Sequence, residues 1–551
     1  MNSLLMEKKQ KLLTAVIASG IAAFFLISVS RAAHSALPGK MLYDCSKKVN
    51  VQVFDSPNVV RKVDTGTVIR PFDPSVTPSE YKTNYYEVKK SRFLKIIRPY
   101  NNASFPKNIA PPEIVWEDGV DNFWLMKFMI SGQEDICLTV VTDKRHWRPG
   151  IKTWQQIKTL GAGKYITLEV RGCFVEEGIR SGDTVYRDSV RFKISEYPTD
   201  NIIVYRLVSP LFHTQKTPNI YYRHVDSFVT RPFLMGEGIY CTNCHFFPKR
   251  EGIRPNEEKL AIAVRDQLPS RKASGKGRRI LGIYDFSTGK GKTFNINSFF
   301  MGWCPDGKKI AVTIGETVSI RPCITLETQQ FFVLVSDIAI VDVETNNIIP
   351  LKGASEPDYM ENFPTWSPDA KYIIFCRAEE SKGRALSDLR FNLYRIAYNN
   401  GRGGVPVPIK GASFNGKSNY APRYSPDGKW VVFNQADSAS LVEPTSDLWI
   451  FSTRDGGRPR ELECNVDYAM DSWHSWSSNS RWLLFASKRD DGIFARIYLT
   501  EIDDNGYASP PVKLPLKDDP MMCFNVPEFL NYDREIDYRG VLRETTKPSI
   551  N

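Results

Sequence analysis

Four stretches share one pattern: WCPDGKKIAV (303–312), WSPDAKYIIF (366–375), YSPDGKWVVF (424–433) and WSSNSRWLLF (476–485). Their aromatic starts are 63, 58 and 52 residues apart. Each reads as an aromatic residue, a tight turn and an apolar strand. Pro-Asp-Gly suits the turn because Pro presets φ, Asp bonds back to the backbone and Gly accepts the left-handed conformation. The fourth copy has Ser-Ser-Asn-Ser, so its turn is expected to differ while its strand persists. A further strand with a polar start follows each copy: SDIAIVDVET (336–345), FNLYRIAY (391–398), SDLWIFST (446–453) and ARIYLTEI (495–502). LAIAVRD (260–266) and ILGIYDFSTG (280–289) make a fifth such unit upstream. Units of this size that repeat radially are the four-stranded blades of a β-propeller. A sixth blade is expected from IIVYRLVS (202–209) and NIYYRHVD (219–226) joined by CFNVPEF (523–529), which closes the ring with both chain ends.

Outward from this core, residues 106–198 hold short alternating strands with embedded Trp residues: EIVW (113–116), NFWLMKFMI (122–130), ICLTVVTD (136–143), WQQI (154–157), YITLEVRG (165–172) and VRFKIS (190–195). That pattern suggests an antiparallel sandwich of the fibronectin or immunoglobulin kind. Residues 37–105 are an irregular, strand-rich lead and 536–551 a tail. At the N-terminus Lys8, Lys9 and Lys11 precede an uncharged apolar run from Leu12 to Val29. The run is longer than a typical signal core and close to a spanning length, so residues 1–36 read as a signal peptide or signal anchor. Either form places the remainder in the periplasm or cell envelope, with the inner membrane as the anchoring site of an uncleaved chain. The expected class is all-β: a sandwich (106–198) and a six-bladed propeller (199–535) behind an export segment.

Composition supports a folded chain with short elements. Of 551 residues, 42% are hydrophobic and 25% charged, with 35 Gly and 35 Pro marking many turns. The formal charge is +11, but 62 acidic residues intersperse the 73 basic ones, so the balance does not argue for nucleic acid. Only 6 His are present, which weighs against imidazole-cluster enzymes. No G-x-S-x-G elbow and no EF-hand spacing occur.

Cys241, Cys244 and His245 form C-x-x-C-H within GIYCTNCHFFP (238–248). The spacing suits covalent haem c: two thiols add to vinyl groups on one porphyrin edge, and the adjacent His ligates iron. The alternatives are a structural Cys pair, or a metal or redox-dithiol use. A zinc site lacks a second C-x-x-C, and a thioredoxin-like site lacks its βαβ context. Candidate distal iron ligands are Met235, His224 and His474, each of which also reads as a packed side chain. Cys137 and Cys173 are a candidate pair inside the sandwich, and Cys304 and Cys376 read as small core residues. A basic stretch from Lys249 to Lys292, including SRKASGKGRR (270–279), reads as a solvated hairpin tip or as a docking patch for an acidic partner or anionic lipid.

The aromatic-Ser-Pro-Asp-Gly repeats resemble the TolB-like propeller family over residues of about 255–515. With NIAPP (108–112), YYRHVDSF (221–228), C-x-x-C-H and NVPEF (525–529), the chain resembles a family of exported bacterial TolB-like propellers carrying one c-type haem motif. That resemblance implies Cys241 and Cys244 as thioether anchors, His245 as proximal ligand, and haem c as cofactor. A His-x-Arg of that family has AIAVR (261–265) in its place here, without His. The expected function is electron transfer or redox sensing with an envelope or redox partner. The alternative is a non-catalytic periplasmic adaptor or binding propeller whose Cys pair is structural.

Overall fold

The computed structural model describes residues 93–548 except 177–178, 209–218, 236–238, 253–254, 267–277, 316–317, 322–329, 334, 381–387, 439–442 and 455. It adds the backbone of short strands at 41–44, 53–54, 60–61 and 88–90. The export segment (1–36) and nearly all of the basic stretch at 270–279 lie outside the described residues. Among the described residues no helix is long and apolar enough to cross a membrane.

The described residues are all-β with two α-helices, α1 (Ile151–Gly161) and α2 (Tyr538–Thr546). Among the described residues of the C-terminal part are six four-stranded antiparallel sheets and a two-stranded one, Val318–Arg321 with Gln330–Val333. The second to sixth four-stranded sheets run in chain order, with inner strands Ile239–Phe246, Ser298–Trp303, Tyr359–Trp366, Ser418–Tyr424 and Asp471–Trp476. The first sheet is built from Ile202–Val208, Asn219–His224 and Arg231–Leu234, with Cys523–Leu530 from the other chain end paired onto Ile202–Val208. Each sheet is open, and their inner strands are neighbours in cyclic order, Cys523–Leu530 touching both Asp471–Trp476 and Ile239–Phe246.

The second strands are buried between adjacent sheets, so they lack the period-2 alternation of a half-exposed strand. All six residues of Trp482–Ser487 are buried, for example. Ile310, Val312, Ile374, Val431 and Phe433 join one apolar cluster that crosses several sheets. α2 seals the outer edge of the second sheet. Asp537 caps it through the Gly540 amide, and Gly282 and Gly291 allow its backbone to approach closely, since a Cβ there would stand 2.6 Å from the Thr545 carbonyl oxygen and 2.9 Å from the Glu544 carbonyl oxygen respectively. The segment expected as a tail is thus a docked helix.

The N-terminal module departs from the expected antiparallel sandwich. Its main sheet runs in the order Met41–Asp44, Gln133–Thr142, Phe123–Ile130, Tyr165–Glu176, Ile179–Ile194 and Val88–Lys90, with Ala103–Phe105 also on Ile179–Ile194. The last two pairings are parallel. A three-stranded sheet (His146–Trp147, Ile114–Glu117, Lys95–Arg98) and α1 complete it. WQQI, placed among the strands by its flanking pattern, lies in α1, where Trp154 packs against Phe105 and donates from Nε1 to the Ile109 carbonyl at 2.9 Å. Cys137 and Cys173 sit opposite Met129 and Phe123, the two ends of one strand, too far apart for a disulfide.

The module is welded to the sixth and first sheets. Its core is continuous with Trp482, Leu484, Leu499 and Phe529. Ser104 and Ser195 donate to Glu501 at 2.5 and 2.6 Å, and Trp482 Nε1 donates to the Tyr197 carbonyl at 3.2 Å.

Candidate functional site: the inner strands and the Cys-x-x-Cys-His segment

Every inner strand carries an irregularity near its middle. Phe363, Ala421, Trp473 and Val526 have φ of 54°, 51°, 53° and 50°, each three residues before an aromatic: Trp366, Tyr424, Trp476 and Phe529. The pairing register shifts at the same place, between Asn362 and Thr365, Tyr420 and Arg423, and Ser472 and Ser475. Non-glycine residues in this region are strained unless the surroundings over-determine them, so the bulge is a built feature of the inner edge. The second sheet has its shift between Thr242 and His245, four residues and one residue before the aromatic Phe246, as in the other sheets. Cys244 and His245 therefore occupy the positions that Pro422 and Arg423, His474 and Ser475, and Pro527 and Glu528 hold elsewhere.

On a strand, successive side chains point to opposite faces. Cys244 and Phe246 are buried with Met301 and Trp303 on the side of the third sheet. His245 lies with Phe247 on the side of the first sheet, ring centroids 6.3 Å apart. Phe247 belongs to the cluster of Ile202, Val204 and Leu260. The His245 side chain is fully buried; the backbone of Val204 and Val526 lies against the ring without the alignment of a hydrogen bond. Burial first, then the nearby Arg206 and Arg423 guanidiniums, push its pKa down to about 3, so the imidazole is neutral. The Cys241 backbone pairs with Arg265, and its side chain lies outside the described residues.

These residues do not fit a haem c site. Thioether anchoring needs Cys244 on the same porphyrin face-edge that His245 approaches, whereas the strand sends them into two separate packed layers. The candidate distal ligands are dispersed as well. His224 is half-buried beside Tyr222 on the first sheet, and Met235 follows that sheet's outer strand. His474 is on the sixth sheet with Nδ1 3.2 Å from Asn434 Oδ1 and Nε2 3.1 Å from the Val432 carbonyl, both ring nitrogens engaged within the protein. Burial holds its pKa down to about 3 as well. Among the described residues there is no group of three or more His, Cys, Asp or Glu arranged to hold a metal.

Around His245 the inner strands instead assemble a polar hub that sequence reading missed. Arg423 pairs with Glu528 at 2.6 Å, Ser475 Oγ donates to the other Glu528 oxygen at 2.7 Å, and the Arg423 guanidinium lies 4.7 Å over the Phe246 ring. Arg423, Ser475, Glu528 and His245 hold the same position in four sheets, immediately before the aromatic. The signal was present as a recurring bulge-x-x-aromatic spacing in ENFPTW, NYAPRY, DSWHSW and FNVPEF, which the turn-centred repeat overshadowed.

One end of the sheets also exposes large apolar side chains. Phe414, Tyr468 and Met521 lie on the connections that lead from an outer strand to the next inner strand, and are 73%, 69% and 79% exposed. Tyr359, at the start of the fourth inner strand, is exposed at the same end.

No family model matches the sequence, and no curated protein does. Solved structures to which it is similar include TolB from Acinetobacter baumannii, at 16% identity and TM-score 0.38 over 69% of this chain and 85% of that one. A TolB from Agrobacterium tumefaciens is similar at 14% identity and TM-score 0.32, over 57% of this chain and 89% of that one. An oligogalacturonate lyase from Vibrio parahaemolyticus follows at 12% identity and TM-score 0.32, over 62% and 85%. These likenesses are too shallow to carry a site or an activity across; the six sheets and their cyclic contacts describe the fold on their own.

Proposed function

We propose that the chain is a six-bladed TolB-like propeller that works outside the cytoplasm as a non-catalytic binding module, with Cys244 and His245 as structural residues of one inner strand. The carrying observation is the position of C-x-x-C-H: it fills the bulge that every inner strand needs, with Cys244 and His245 buried in different layers. The exposed Phe414, Tyr468 and Met521 give the module an apolar face of the kind that docks protein partners. The export reading of residues 1–36 supplies the compartment.

The test is production of the full chain in a host with haem-attachment machinery, followed by a pyridine haemochrome assay on the denatured protein. The expected result is no covalent haem. Stoichiometric haem that survives denaturation and disappears in Cys244→Ala overturns the proposal and restores the cytochrome reading. Partner docking is read separately, by cross-linking in the native envelope: Phe414→Asp with Tyr468→Asp is expected to abolish cross-links that Cys244→Ala leaves intact.

A further inference from the structure

Where the N-terminal module meets the sixth sheet, a cavity of about 240 Å³ opens beside the apolar core the two share, with Phe105, Val512 and Leu514 of that core in its lining. One wall comes from the module through Arg98, Tyr100, Phe105 and Arg148. The other comes from the segment 511–519, which connects the sixth sheet to the closing strand and contributes Lys513, Leu514 and Lys517.

The charges around it do not balance. Two acidic side chains, Glu113 and Asp519, face four basic ones in the lining. Glu113 already serves His146 at 3.3 Å and reaches Arg148 only at 3.9 Å. Asp519 is held by Arg496 at 2.6 Å and by Lys513 at 2.9 Å. Arg98 and Lys513 share Asp490, behind the wall, at 3.3 and 2.8 Å. Among the described residues, the buried Nε of Arg98 and the buried Nε of Arg148 have no hydrogen-bond partner.

A third arginine reinforces the pattern. Arg223 is 1% exposed and donates from Nη1 to the carbonyl of Pro515, itself part of the cavity lining, at 2.6 Å. Its Nε and Nη2 are buried without partners among the described residues. Burial lowers its pKa most, Tyr205 opposes that, and Arg148 stands near enough to lower it further. Buried guanidinium nitrogens left unpaired cost stability, so a fold that gathers several at one joint gains when an anion arrives.

The rest of the lining selects the kind of anion. Tyr100, Phe105, Leu514 and several prolines form an apolar wall that a hydrated inorganic ion cannot use. A carboxylate matches the planar fork of arginine, and an attached organic body of a few heavy atoms fills the remaining volume. We propose that this joint is a binding site for a small organic carboxylate, either a free acid or the C-terminal carboxylate of a peptide, with Arg148 and Lys517 as its contacting cations.

Isothermal titration of the full chain tests it with four probes: succinate, trialanine, C-terminally amidated trialanine and inorganic phosphate. Binding of succinate or trialanine is expected, and the tighter of the two assigns the source. Amidation is expected to weaken trialanine at least tenfold, and Arg148→Gln and Lys517→Gln to weaken the better probe about tenfold each. Lys517 is exposed, so its variant keeps the test valid if Arg148→Gln fails to fold. The proposal is overturned if neither organic probe binds, if amidation makes no difference, if phosphate binds as tightly as the organic acids, or if folded variants bind like the parent.

Discussion

At the residue scale, the turn after each inner strand shows how much side-chain chemistry tolerates. Gly307 and Gly428 take the left-handed position at φ 66° and 72°, and their amides donate to the carbonyls of Cys304 and Ser425. Ala370 and Ser480 take the same position at 59° and 60°, with the same back-bond to Ser367 and Ser477. Ser-Ser-Asn-Ser therefore forms the same turn as Ser-Pro-Asp-Gly, contrary to expectation, because Asn479 accepts from Ser477 as Asp427 does from Ser425. Ser480→Gly relieves the left-handed strain but gives up the bond that Ser480 Oγ accepts from the Asp427 amide at 2.9 Å, so the two effects offset and its stability, read from the midpoint in urea, should stay within about 1 kcal/mol of the parent. Glu258 gives a pH-dependent case. It is fully buried, accepts from the Asn531 amide at 3.3 Å, and burial, with Asp200 adding to it against Lys249, raises its pKa to about 8. Its folded value exceeds the unfolded one, so stability is present at low pH and falls as pH rises from about 4.5 to 8. Glu258→Gln removes that fall: the variant should gain Tm over the parent from pH 5 to pH 9 in thermal scans. His245 and His474 act in the opposite sense, their depressed values costing stability as pH falls below about 6.5.

At the element scale, the sheets are tied internally by buried ion pairs. Arg489 pairs with Asp471 at 2.7 Å with both side chains almost wholly buried, and also donates to the Cys464 carbonyl and Ser487. Its guanidinium stacks near Phe485 and Tyr498, at 5.4 and 4.7 Å. The fourth sheet repeats the device: Arg377 pairs with Glu361 at 2.9 Å and lies over Phe375 and Tyr394. Removing one partner strands a buried charge, so Asp471→Asn should cost about 3–5 kcal/mol. Glu344→Gln, which breaks the exposed pair with Lys308, should cost less than about 1 kcal/mol. Equilibrium denaturation of the two variants checks the contrast.

At the scale of the whole molecule, stability depends on closure by the C-terminal strand. All eight residues of Cys523–Leu530 are buried, paired with Ile202–Val208 on one side of the chain order and packed against Asp471–Trp476 and Ile239–Phe246. Ending the chain at residue 522 exposes the edge of Ile202–Val208 and removes Glu528 from the central hub. That protein should lose its cooperative thermal transition. Ending it at residue 536 removes only α2 and should leave a cooperative transition at lower temperature, since the ring contacts remain.

Local rules carry far in this chain because they act over few residues. Turn chemistry, apolar strands and a repeat of 52–63 residues were sufficient for the six four-stranded units, including the one assembled from both chain ends. Cys304 and Cys376 also proved to be buried, as their apolar surroundings required. The same rules failed where partners are distant in sequence. Residues 151–161 are helical because Trp154 has Phe105 and the Ile109 carbonyl to pack on, neither visible in the local pattern. C-x-x-C-H reads as haem chemistry in one dimension, since spacing alone says nothing of direction. Direction comes from the tertiary structure: a strand sends adjacent side chains to opposite faces, and close packing of neighbouring sheets puts Cys244 and His245 in separate layers.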